Sequence, residues 1–300
     1  MSRTSAAMLD RLRCLLLAAL PQHALSRVIF RLTRIRTRWK DPLVRWFIGA
    51  FGVDMSEALP SDPARYASFN DFFTRPLKPE VRPLAGDETT LVSPVDGRIS
   101  RIGQVDGDRV IQAKGRDYSL SALLGGDPAN AAAFRSGGFA TLYLAPGDYH
   151  RIHMPLAGRL THMTYVPGRL YSVAPWTVAT IDGLFTRNER VCCFFDTAQG
   201  PLALVLVGAI NVAAIETVWS GLVTPPRGRR VARWYYEGRA PTLARGEEMG
   251  RFNMGSTVIV LTPPGSAWQA DRVAGQRILM GESLGVCGTP SPPSTPRDAT

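Results

Sequence analysis

Residues 251–261 read RFNMGSTVIVL. Thr257, Val258, Ile259 and Val260 are all branched at Cβ, and branched side chains suit a pleated strand better than a helix. The run is apolar and β-branched, which predicts a buried strand. Gly255 turns the chain into it. Ser256 therefore stands at the mouth of a buried strand, directly behind a glycine. A serine there is either an ordinary strand cap or a nucleophile poised to attack its own preceding peptide bond. These residues alone leave both readings open.

The same texture extends backwards. From about residue 86, short β-rich runs such as TTLVS, FATLYLAPGD, GRLTHMTYVPG and LALVLVGAINVAAI alternate with Gly/Pro turns. Strands spaced by turns, without intervening helical repeats, predict antiparallel pairing and not a βαβ array. Helical periodicity is largely confined to the first third. The expected class is α+β, with a mainly antiparallel β core and N-terminal amphipathic helices. The expected division is a helical membrane-associating region over 1–60, the core over 61–286 and a Pro/Ser/Thr-rich disordered tail over 287–300.

The 300 residues are 45% hydrophobic, enough for a sizeable core. The net charge of +10 is concentrated at one end: residues 1–40 hold nine Arg/Lys against Asp10 alone, and the remaining 260 hold 26 bases and 24 acids. The body is thus nearly neutral and carries a basic arm. In that arm Met8, Leu9, Leu12, Leu15, Leu16, Ala19 and Leu20 share one helical face. After Pro21, Leu25, Val28, Ile29, Leu32 and Ile35 repeat the pattern, with Arg27, Arg31 and Arg34 to the side and Trp39 and Trp46 following. A basic amphipathic helix with tryptophans suits an anionic membrane surface. Two helices packed on the core are the plainer alternative. No nucleic-acid-binding motif is present, so nucleic acid is not an expected partner. The apolar run at residues 14–20 is too short to span a bilayer and lacks a signal-peptide cleavage pattern. Four cysteines without metal or disulfide spacing (Cys14, Cys192, Cys193, Cys287) fit a reducing compartment.

Only four histidines are available for proton transfer: His23, His150, His153 and His162. Two lie together in APGDYHRIHMP, after a strand and before a proline, which suggests acid–base work. Loop hydrogen bonding explains such a pair equally well. A zinc site would need His150, His153 and Asp148 together, at a spacing that matches no established zinc pattern. Asp96 in SPVDGRIS reads, on its own, as a turn residue. FNDFFTRPLKPEVRP, residues 69–83, is dense in aromatics and bases and fits either a core-plus-surface segment or a lipid-facing loop.

Taken together, FNDFFTRPLKPEVRP, SPVDGRIS, YLAPGDYHRIHMP, VGAINV (residues 207–212) and FNMGSTVIV resemble the phosphatidylserine decarboxylase proenzymes, in that family's order and over most of residues 65–285. The length and the basic arm are similar to the long bacterial form. Met254 departs from the leucine common in bacterial members, a volume-conserving change. The tail after Val286 matches nothing in the family.

The resemblance implies a carboxy-lyase of phospholipid biosynthesis, made as a zymogen. Ser256 would attack the Gly255 carbonyl and split the chain there, and would itself become a covalent pyruvoyl cofactor. The larger and smaller chains would stay associated, and a homodimer is left open. Glycine at 255 keeps side-chain bulk off the attack path. Asp96 and His153 would form the charge relay with Ser256, following Ser–His–Asp logic. His150 would be the substrate-side proton donor. No metal is implied. The expected substrate is phosphatidylserine, met as a peripheral enzyme on the cytoplasmic face of the cell membrane. Three competing readings remain: a pyruvoyl decarboxylase of another amine, a zinc hydrolase using His150, His153 and Asp148, and a non-enzymatic membrane-bound β module.

Overall fold

A computed structural model describes residues 13–14, 17, 20–113, 115–210, 214–225, 230–238, 240–253 and 256–288. Most of the expected helix over residues 8–20, the cleavage-site Gly255 and nearly all of the expected tail lie outside the described residues.

TVIVLT forms the strand Thr257–Thr262, and every one of its residues is buried. It lies between Gly200–Val207 and Gly138–Tyr143, paired antiparallel to both. Its continuous apolar run reflects this central position, where neither face meets water. The nine-stranded sheet continues past Gly200–Val207 through Arg190–Thr197 and Gly158–Val166 to Ala232–Tyr235. On the other side Gly138–Tyr143 is followed by Gly97–Gln104 and Arg277–Ile278, while Thr242–Leu243 adds to Gly158–Val166. A second sheet of four strands runs Gly221–Leu222, Ile215–Thr217, Glu248–Phe252, Arg151–His153. Pairing between the named strands is antiparallel throughout, and helices gather at the N-terminus, giving the α+β architecture expected.

Val258, Ile259, Val260, Leu204, Leu206, Ile152, Met249 and Phe252 belong to one hydrophobic core reached from both sheets. Burying a side chain of this size contributes about 1.5–3 kcal/mol. Cys192 and Cys193 point to opposite faces of their strand, and both are buried. Burial pushes their thiols up, Cys192 to about 12, so both stay protonated. Cys192, Cys193 and Cys287 form no disulfide.

A smaller core holds the N-terminal region. Phe47 of the helix Lys40–Phe51 meets Phe69, Phe72 and Phe73 edge-on, at centroid distances of 5.3, 5.9 and 5.9 Å. These phenylalanines come from FNDFF, which forms the short helix Phe69–Phe73 capped by the Ser68 hydroxyl. Of the two readings of that segment, its aromatics take the core one.

The helix Gln22–Leu32 docks with the reverse of the usual polarity. Its buried residues are Gln22 and Ser26. Gln22 Oε1 accepts from the Leu170 N–H at 2.9 Å, and His23 Nε2 meets the Gly168 carbonyl at 2.9 Å. Val28, Leu32, Ile35, Trp39 and Trp46 stay exposed, Trp39 by 88%. Ordinary surface helices turn their apolar stripe inward. Among the described residues, no helix is long and apolar enough to cross a membrane.

Candidate active site

Ser256 enters the central strand from a crossing between the two sheets. Upstream, the Phe252 N–H donates to the His150 carbonyl at 3.0 Å and the Asn253 N–H to the Ala214 carbonyl at 2.9 Å, still within the four-stranded sheet. Downstream, Thr257 is already paired with both Tyr143 and Val207. The Ser256 carbonyl accepts from the Leu144 N–H at 2.9 Å, which fixes the residue from its C-terminal side. Its hydroxyl is wholly buried and has no hydrogen-bond partner among the described residues. A buried unpaired hydroxyl costs about 1–3 kcal/mol.

His150 and His153 flank this crossing but sit differently. The His150 ring stacks on Phe73 at 4.1 Å and is fully buried. Its Nε2 meets the Pro146 carbonyl at 3.3 Å. A carbonyl only accepts, so the proton sits on Nε2, and Nδ1 is left buried without a partner. Burial first, and then the charge of Arg75, pushes its pKa down to about 3, so the ring is neutral. His153 lies on the strand Arg151–His153, opposite Glu248. Its Nδ1 donates to the Gly246 carbonyl at 2.7 Å, which leaves Nε2 as the basic nitrogen, and the Tyr149 hydroxyl occupies Nε2 at 2.9 Å. Burial lowers the His153 pKa, with Gly246 and Glu248 opposing.

Asp96 is buried in the turn before the strand Gly97–Gln104. Arg82 clasps its carboxylate, with Nη2 at 2.6 Å and Nε at 3.0 Å, and the Met280 N–H adds a bond of 2.8 Å. Arg82 also reaches Glu57 at 2.6 Å. Burial alone would lower the Arg82 pKa, but the hydrogen bonds to Asp96 and Glu57 raise it. The expected direct contact between Asp96 and His153 is not made. Both His153 nitrogens and both Asp96 oxygens are engaged elsewhere. The two residues share a turn instead, where the His153 N–H donates to the Pro94 carbonyl at 2.9 Å. Gly97 is required beside Asp96, because a Cβ there would lie 2.3 Å from the Tyr143 carbonyl oxygen.

A cavity of about 600 Å³ opens beside this turn, walled by Asp96, Arg82, Arg75, Tyr149 and Asp148. Arg82, Tyr149 and Arg75 were not singled out from the sequence, although all three lie inside the quoted motifs. Asp148 takes the Ala145 N–H at 2.7 Å, and burial raises its pKa. His150 Nε2 is turned to Pro146, and both His153 nitrogens are taken by Gly246 and Tyr149. Among the described residues no three His, Cys, Asp or Glu side chains converge to hold a metal ion.

The sequence model of phosphatidylserine decarboxylase matches residues 69–286, a stretch that holds Arg75, Arg82, Asp96, His150, His153 and Ser256. The chain belongs to the phosphatidylserine decarboxylase family. A second family model, described as PSD, matches residues 12–52. The phosphatidylserine decarboxylase proenzyme of Alkalilimnicola ehrlichii is 57% identical over 255 residues, covering 84% of this chain and 88% of the relative. Those of Nitrosococcus oceani and Marinobacter nauticus are 55% and 51% identical, over 89% and 93% of this chain and 88% and 98% of their own. By membership in this decarboxylase family the chain is a carboxy-lyase, and the central strand and its serine lie inside the matched region.

Proposed function

We propose that the chain is a precursor that splits itself between Gly255 and Ser256 and then decarboxylates phosphatidylserine to phosphatidylethanolamine. The observation that carries the self-cleavage is the Ser256 hydroxyl, buried and unpaired where the chain passes between sheets. The substrate follows from the names of the relatives.

Ser256 Oγ attacks the Gly255 carbonyl carbon, the peptide C–N bond breaks, and the nitrogen takes up a proton, leaving an ester. Loss of the Ser256 α-proton expels the Gly255 carboxylate and leaves dehydroalanine. Tautomerisation and hydrolysis release ammonia and leave a pyruvoyl terminus on the smaller chain. A buried residue whose Oγ has no partner fits this conversion, since the change breaks no hydrogen bond of that hydroxyl. The pyruvoyl group supplies the electron-withdrawing carbonyl that decarboxylation needs.

The base is His153. Its Nδ1–H stays on Gly246, which holds the tautomer, and Nε2 takes the serine proton once Tyr149 gives way. Asp96 favours the resulting imidazolium through space, without a direct hydrogen bond. His150 is neutral with its Nε2 proton on the Pro146 carbonyl, so it returns a proton to the substrate carbon only after its free Nδ1 has been protonated. The exposed Trp39, Trp46 and Leu32 face, set among Arg27, Arg31 and Arg45, holds the enzyme peripherally at the anionic cytoplasmic face of the membrane.

Intact-mass spectrometry of the purified chain beside Ser256→Ala tests the reading. Wild type is expected as two fragments divided after Gly255, and the variant as one chain of 32.7 kDa. A folded wild type that stays whole would overturn it.

A further inference from the structure

We infer that Arg75 forms an anion subsite for the phosphodiester of the substrate headgroup, a step that rests on the decarboxylase reading above. Arg75 is 3% exposed and lines the cavity beside Asp96 and Tyr149. Its Nη2 reaches only two carbonyls, Gly147 at 3.1 Å and Asp148 at 3.4 Å, and Nε and Nη1 are buried without partners. Among the described residues no carboxylate lies within ion-pair distance of it. Asp96, Asp148 and Glu57 act on this guanidinium only through space and none pairs with it, so two of its nitrogens are left for an anion that arrives from outside.

The neighbouring charges narrow the choice. Arg82 already holds Asp96 and Glu57, Arg272 holds Glu282 at 3.4 Å, and burial pushes the Asp148 carboxyl towards its neutral form. At the cavity rim Arg98 and Arg277 stand directly opposite each other on paired strands, again without an ion pair among the described residues. Like charges in that position repel, and an anion between them relieves the repulsion. The wall also adjoins the reacting residue, since it runs from Ala145 to Tyr149 and Leu144 holds the Ser256 carbonyl.

Phosphatidylserine offers two anions, and chemistry separates them. An arginine clasping the carboxylate would stabilise the group that must leave, binding the ground state more tightly than the transition state. The phosphodiester keeps its charge throughout, so a cation on it anchors the headgroup without opposing decarboxylation.

Binding to the uncleaved Ser256→Ala full chain tests this independently of catalysis. The probes are glycerophosphoserine, inorganic phosphate and L-serine, titrated by calorimetry with and without Arg75→Gln, Arg75→Lys and the rim double variant Arg98→Gln/Arg277→Gln. Glycerophosphoserine is expected to weaken at least tenfold in Arg75→Gln, less in Arg75→Lys, and about threefold in the rim variant, with L-serine unaffected. Should Arg75→Gln fail to fold, Arg75→Lys and the rim variant carry the test. Glycerophosphoserine binding that ignores all three changes overturns the subsite. Inorganic phosphate binding as tightly as glycerophosphoserine, with the same dependence on Arg75, overturns the headgroup assignment in favour of free phosphate. Intact mass of the Ser256-bearing chain keeps the two readings apart. An uncleaved wild type sinks the decarboxylase reading and the headgroup assignment with it, whereas a cleaved wild type with Arg75-independent binding sinks only the subsite.

Discussion

The strand Thr257–Thr262 and the helix Gln22–Leu32 use similar apolar residues to opposite ends. The strand buries all of its side chains between two neighbouring strands. The helix attaches by Gln22 and His23 and leaves Val28 and Leu32 in the open. Apolar surface was available to cover that stripe, because the adjoining helix Lys40–Phe51 does pack Val44 and Phe47 into a core. The arm is thus anchored by polar contacts while part of its apolar face stays exposed. The proposed cleavage site lies in the buried sheet region, and the seam, the chain between the arm and the sheets, passes through Phe73, Arg75 and Arg82.

Five experiments press on this contrast. Removing Arg82 from the seam has the largest expected effect. Arg82→Leu leaves Asp96 buried without its cation, and breaking a buried pair costs about 3–5 kcal/mol. Urea unfolding should show that loss, with slower self-cleavage of the folded fraction; unchanged stability would separate the seam from the core. Ile259→Ala, in the central strand, should cost about 2–5 kcal/mol while leaving liposome binding alone. The matching change in the arm, Trp39→Ser with Trp46→Ser, should stay within about 0.5 kcal/mol of wild-type stability. It should weaken sedimentation with anionic liposomes roughly tenfold, or about 1.4 kcal/mol. If the arm variant lost stability and kept its lipid binding, the comparison would be reversed.

Acid sharpens the same seam. His150 is held neutral against Phe73, with its pKa depressed from 6.5 to about 3. Protonation therefore favours the unfolded chain. The stability tied to this ring is complete above pH 6.5 and is lost as pH falls below it, by up to about 1.4 kcal/mol per pH unit. His150→Phe should flatten unfolding free energies between pH 7 and 5, and an unchanged slope would show that other groups set the acid response. The smallest effect expected is at Tyr149. Its hydroxyl donates to His153 Nε2 and so favours the neutral ring. Because the His153 pKa is lowered, self-cleavage should persist below pH 6.5 in wild type. In Tyr149→Phe the acidic limb should move up towards 6.5, and a limb that stays in place would remove Tyr149 from the proton path.

Much of this was readable in advance where the cause is local. An apolar β-branched run predicts a buried strand, and TVIVLT is one, buried on both faces. Five short motifs in order were enough to suggest the family that the comparisons then showed. Partners across long separations were not readable. Asp96 was expected on His153, yet Arg82, fourteen residues before it, takes the carboxylate. Tyr149 stood in plain view beside His150, but its contact to His153 needs the chain to bend between them.

Sequence by itself determined the strand and turn pattern, the basic amphipathic arm and the serine behind its glycine, because these follow from side-chain shape and spacing along the chain. Only tertiary structure decided which nitrogen of each histidine holds a proton, that Ser256 is left unpaired, and which helix face turns outward. Those depend on carbonyls, carboxylates and burial contributed by segments far away in the chain, and a hydrogen bond or a lost hydration shell exists only once folding has brought them together.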